Sequence, residues 1–74
     1  MANKKFRFIS KYDYSGSNSI KKGMEVEFEM PGHFTPKMIS MGHIKKAFIE
    51  SGKYPQVTDY RVNMQSHCTE IVEL

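Results

Sequence analysis

Met24-Glu25-Val26-Glu27-Phe28-Glu29-Met30 alternates apolar and acidic residues without an exception. In an extended chain, successive side chains point to opposite faces. One face therefore carries Met24, Val26, Phe28 and Met30, and the other carries three glutamates. A one-residue slip would bury every carboxylate, so the pattern specifies a strand together with its register. Pro31-Gly32 ends it.

Working back from this stretch, Lys4 to Tyr14 reads as a first strand. Phe6, Phe8, Ser10, Tyr12 and Tyr14 fall on one side, and Arg7, Ile9, Lys11 and Asp13 on the other. Ser15-Gly16-Ser17-Asn18-Ser19 is loop by composition, because its residues tolerate turns and offer competing local hydrogen bonds. Three like charges at alternate positions repel. In a hairpin of the two strands, Arg7 and Lys11 lie near Glu27 and Glu29, relieving that repulsion by roughly 0.2–1 kcal/mol per pair.

Working forward, Thr35-Pro36 reads as a helix start, with Thr at the N-cap and Pro at the first helical position. The helix is expected to run to about Ser51, with Gly52 just past its end. Met38, Met41, Ile44, Phe48 and Ile49 make a broad apolar stripe, opposite Ser40, His43, Lys46 and Glu50. Lys45 falls inside the stripe, where its stem can run to the edge. Ile39 falls on the polar side, as an exposed contact for a partner or an ordinary surface residue. After a turn at Lys53-Tyr54-Pro55-Gln56, Val57 to Met64 alternates as a third strand. Tyr60, Val62 and Met64 share one face and Asp59, Arg61 and Asn63 the other. Thr69 to Leu74 reads as a short fourth strand, a prolongation of the third, or a frayed end.

The expected fold is α+β: one small sheet of three to four strands, β-β-α-β with an optional final β. The helix packs on one face, across a right-handed β-α-β crossover. The other sheet face is left open and charged. The 74 residues suit a single domain near the lower limit for independent folding.

Composition narrows the function. Net charge is +3 and the pI about 9.1. The charge alternates in sign by block: residues 1–23 are basic, 24–34 acidic, 35–53 basic and 54–74 acidic. Alternation favours pairing between neighbouring elements over one continuous polyanion-binding footprint. One cysteine, Cys68, excludes an intrachain disulfide and fits a reducing cytoplasm. No apolar run approaches the length of a membrane span, and no apolar core follows the basic residues at the N-terminus as a signal peptide would require.

Chemistry finds little to work with. Nucleophilic catalysis needs a nucleophile, a base and an orienting group held together. His67 and Cys68 have the residue types, but neighbours on a strand diverge. His33, His43, His67 and Cys68 show neither CxxC nor HxxxH spacing, so no metal site is expected. No phosphate-binding glycine motif and no cofactor signature is present. The expectation is a protein that is not an enzyme and that binds a protein partner. Its contact residues would be Arg7, Lys11, Glu25, Glu27, Glu29 and Arg61 on the strands, Lys21 and Lys22 on the loop, and Ile39, His43 and Lys46 on the helix flank. The alternative is a small basic module for RNA or single-stranded DNA. Lys4-Lys5-Phe6-Arg7-Phe8 interleaves basic and aromatic residues, and Lys21, Lys22, Lys45, Lys46 and Lys53 supply further cations. An unpaired strand edge leaves monomer and homodimer both open.

In layout, Val26-Glu27-Phe28-Glu29-Met30, the Thr35–Gly52 helix and Val57-Thr58-Asp59-Tyr60-Arg61-Val62 together resemble small proteins of bacteriophages and mobile elements that inhibit host machinery. Anti-CRISPR proteins and phage inhibitors of host RNA polymerase are of this kind. The resemblance covers about two-thirds of the chain. It implies a stoichiometric inhibitor acting by occlusion in the host cytoplasm, and it transfers no functional residue.

Overall fold

A computed structural model describes residues 2–74. Its elements are β1 (Lys4–Ser10), β2 (Glu25–Met30), one 3₁₀ turn (Pro36–Met38), α1 (Met41–Ser51) and β3 (Thr69–Glu73). The three strands form one sheet in the order β2-β1-β3, and β1 is antiparallel to both neighbours. The small α+β fold is therefore as expected, with the helix on one sheet face. Its wiring departs from the expectation where β1 ends, where the helix begins and over residues 57–64.

The strict alternation of β2 holds. Val26 is buried, Glu27 and Glu29 are exposed, and Phe28 packs against the core. Glu27 stands opposite Arg7, Val26 opposite Phe8 and Phe28 opposite Phe6. β1 is shorter than expected, stopping at Ser10 rather than Tyr14. The buried Ser10 hydroxyl donates to the Tyr12 carbonyl at 2.8 Å, a local bond that diverts the backbone from the ladder.

The chain re-enters the sheet through a type II turn at 21–24. The Met24 N–H donates to the Lys21 carbonyl at 3.1 Å, and Gly23 takes φ 92°. The Gly23 N–H then meets the Ser10 carbonyl, and the Ser10 N–H meets the Met24 carbonyl, each at 2.9 Å. Two residues thus oppose one, a glycine bulge that launches β2 in register. Nothing lies within 4 Å of where a Gly23 side chain would begin, so a substitution there meets only backbone strain. Gly23→Ala is expected to cost about 1–2 kcal/mol, read by urea denaturation.

The helix begins at Met41, not after Thr35. Thr35 makes no capping bond, and Pro36–Met38 forms a separate turn. Ile39 is extended, with φ −75° and ψ 126°, and turns into the core at 5% exposure. Burying a large aliphatic side chain is worth about 1.5–3 kcal/mol, more than the Thr-Pro start signal. The helix is restarted by Ser40, whose N–H donates to His43 Nδ1 at 3.0 Å. Its far end is as expected, with Gly52 left-handed at φ 60°. The buried stripe is narrower than expected: Ile44, Ala47 and Phe48 pack inward, whereas Met38, Met41 and Ile49 stay exposed.

The third strand expected over Val57–Met64 does not form. Asp59 Oδ1 accepts the Arg61 N–H at 3.2 Å and Asn63 Oδ1 accepts the Gln65 N–H at 2.9 Å. Both residues turn their own backbone away from a ladder. Residues 57–64 instead run as an irregular segment that buries Val57 and Val62. The segment is tied to the 11–24 connection: the Thr58 and Asp59 N–H groups both donate to the Asn18 carbonyl at 3.0 Å, and the Asn63 N–H donates to the Tyr14 hydroxyl at 2.6 Å. The place beside β1 goes to Thr69–Glu73, so the sheet is wholly antiparallel and the β-α-β crossover is absent.

The core lies between the sheet and α1. Phe6, Phe8 and Val26 come from the sheet and Ile44, Ala47 and Phe48 from the helix. Ile20, Ile39, Val57 and Val62 come from connections. A chain of this length cannot fill a core from regular elements alone, so its loops supply side chains. Phe8 meets Phe48 edge-on at 5.7 Å between centroids.

Candidate functional site

Antiparallel register sorts the outer residues into three rungs. Glu27, Arg7 and Val72 form one, Glu25, Ile9 and Glu70 another, and Glu29 and Lys5 a third. Leu74 extends the third, donating its N–H to the Lys5 carbonyl at 2.8 Å. α1 packs on the opposite side, against the face that carries Phe8 and Val26. The outer face is therefore bare: a row of carboxylates, a row led by cations, and a third row with Val72 and Leu74 at 37% and 52% exposure.

Arg7 is the central residue of this face. Its guanidinium donates to Glu27 Oε2 from Nη2 at 2.8 Å and from Nε at 3.3 Å. Lys5 Nζ approaches the other carboxylate oxygen at 3.5 Å. The hydrogen bond from Arg7 is the main cause holding the Glu27 carboxyl below its usual range, and the same bond raises Arg7. Among the described residues Glu29 has only Asn3 Nδ2, at 3.5 Å. Of the two cations expected near the glutamates, Arg7 is there and Lys11 is not. Because β1 ends early, Lys11 reaches the Ser66 carbonyl instead, at 3.1 Å.

The remaining residues singled out by sequence divide into groups. His43 and Lys46 line a groove of about 690 Å³ between β2 and α1, with Phe28, Met30 and Phe34. Lys46 also faces Glu50 at 3.7 Å. Lys21 Nζ donates to the Tyr14 carbonyl at 2.6 Å and so holds the connection. Lys22 sits exposed in the turn. Arg61 is clamped to Asp59, Nη2 to Oδ2 at 2.6 Å, and these bonds hold the Asp59 carboxyl low. Ile39 corrects the expectation of an exposed contact, because it is buried. Val72 and Leu74 carry no signal in the sequence, and Lys5 enters there only through the basic–aromatic stretch of the nucleic-acid alternative. Lys5 was legible as the same-face neighbour of Arg7 two residues away.

Cys68 is buried and His67 exposed, in the turn that precedes β3. Both border an open cleft of about 630 Å³ with Tyr12, Tyr14, Asp59 and Arg61. No hydrogen bond joins the pair among the described residues. No three His, Cys, Asp or Glu side chains converge as metal ligands among the described residues. No described helix is long and apolar enough to cross a membrane.

The depressed carboxyls give a signed pH dependence. A folded-state pKa below the unfolded one stabilises above the ordinary carboxylate range, and that contribution disappears as pH falls through the lowered value. The urea midpoint is therefore expected to stay level from pH 7 to about 5 and to drop below about pH 4. Glu27→Gln should unfold earlier than the parent at pH 7, with the gap closing in acid. The pair is solvent-exposed, so the difference is small.

Fold and surface together define a class: a small α+β domain with one three-stranded antiparallel sheet, one helix and one uncovered sheet face. Comparison with protein-family models, with curated proteins and with solved structures returned no match.

Proposed function

We propose that this chain is a non-catalytic protein-binding module that acts in stoichiometric complex with its partner, through the bare sheet face. The observation that carries this reading is the arrangement of that face. Arg7, Lys5 and Glu27 form one exposed ion cluster beside exposed Val72 and Leu74, with both signs of charge interleaved. Mixed charge around apolar contacts suits a protein surface, where complementarity sets encounter rate and partner choice. Inhibition by occlusion follows where the covered surface is one the partner needs.

Nucleic acid fits this face less well. Phe6 and Phe8, the side chains available for stacking in that alternative, are fully buried. Glu25, Glu27 and Glu29 occupy the outer row, where they repel phosphates. The test is affinity capture with the full chain from several bacterial lysates, with and without nuclease. One protein recovered at a fixed ratio after nuclease treatment is the expected result. Recovery of nucleic acid alone, lost steeply with salt, would replace this reading with the alternative. Recovery of neither would remove both.

A further inference from the structure

The free edge of β2 continues the bare face into a place for one more strand. Ser10 exchanges bonds with the β2 side, whereas Lys11 and Lys5 bond to the β3 side. Alternation along the ladder then aims the main-chain groups of Val26, Phe28 and Met30 at β1, and those of Glu25, Glu27 and Glu29 away from the sheet. The Glu25 N–H is taken by the Tyr54 hydroxyl at 3.1 Å. The N–H and C=O groups of Glu27 and Glu29 have no partner among the described residues. The opposite edge differs, because β3 packs beside the Pro36–Met38 turn.

Beside these open groups runs the groove of about 690 Å³ between β2 and α1. Phe28, Met30, Phe34 and Ala47 give it apolar walls. A strand laid along β2 would send alternate side chains into this groove. Its other side chains would reach the outer face beside Glu25, Glu27 and Glu29. Glu27 already has two cations, while Glu25 and Glu29 have no ion pair among the described residues. A second copy paired through β2 would set one carboxylate row against another, which like charges oppose.

We infer that β2 accepts an extended segment of a partner protein as a fourth strand, and that this segment alternates apolar with basic residues. The inference rests on the protein-binding reading and names the mode and chemistry of that binding. Main-chain bonds from Glu27 and Glu29 give affinity, the groove reads the apolar residues, and the glutamate row selects lysine or arginine.

The test uses the full chain and short synthetic peptides, followed by amide-resolved NMR and titration at low salt. An alternating Val/Lys peptide is expected to slow exchange of the Glu27 and Glu29 amides, and to bind about tenfold more tightly than an alternating Val/Glu peptide. N-methylation of the peptide amides that face β2 should weaken binding by about tenfold, and of those facing away by less than about twofold. The double variant Glu25→Lys, Glu29→Lys should reverse the preference; Glu25 is half-buried, so Glu29→Lys alone, at an exposed position, is the folding control and should narrow the preference. Unchanged exchange at both amides, or equal binding of the two peptides, overturns the inference. A captured partner that leaves these amides exchanging freely overturns it while leaving the protein-binding reading standing.

Discussion

Phe8→Ala should leave a chain that is largely unfolded at room temperature. Phe8 is fully buried in the central strand, between Val26 and Ile71 in register and edge-on to Phe48. Truncating a buried phenylalanine costs about 3–5 kcal/mol, the lost transfer energy plus the cavity left behind. At about 0.05–0.15 kcal/mol per residue, a domain of this length holds roughly 4–11 kcal/mol, and small cores sit toward the lower end. The substitution therefore removes most of the margin. Urea denaturation followed by far-ultraviolet circular dichroism reads it directly. Phe8→Leu should retain the fold with a lowered midpoint. A loss below about 1 kcal/mol for Phe8→Ala would place the ring outside the core.

The second large effect separates two isoleucines. Ile39→Ala should cost about 2–5 kcal/mol, whereas Ile49→Ala should stay within about 0.5 kcal/mol. Ile39 is 5% exposed and Ile49 is 55% exposed. A helix running unbroken from Pro36 would set Ile39 outward and Ile49 toward the sheet. The same pair of denaturation curves thus reports whether the chain breaks between the 3₁₀ turn and α1. Reversed costs would restore the continuous helix.

These isoleucines also show where the sequence was legible. In β2 every local preference agreed, so strand and face were readable, as was the placing of Arg7 beside the glutamate row, though not which glutamate it meets. The Gly52 helix end was readable because a left-handed position has one strongly favoured occupant. The Thr35-Pro36 start signal was as good by local criteria, but it lost to the burial of Ile39, a long-range contact that no window of sequence contains. Residues 57–64 alternate nearly as well as β2, yet Asp59 and Asn63 bond to their own backbone. Glutamate, with one more methylene, competes for that role far less than aspartate or asparagine. Ile20 stands alone among polar residues, so its complete burial had no periodic signal. In the candidate site, Lys11 was misplaced only because the Ser10 hydroxyl ends β1 sooner than the apolar pattern does.

A photo-crosslinking side chain at Val72, on the bare face, and another at Gln56, in the exposed turn after α1, would test the recognition surface most directly. Both chains would be irradiated in nuclease-treated lysate. The expected result is one discrete protein adduct from position 72 and none from position 56, with the position 72 adduct weakened by Arg7→Glu. A protein adduct formed equally from both positions, or formed only from position 56, would contradict the assignment of recognition to the uncovered side of the sheet.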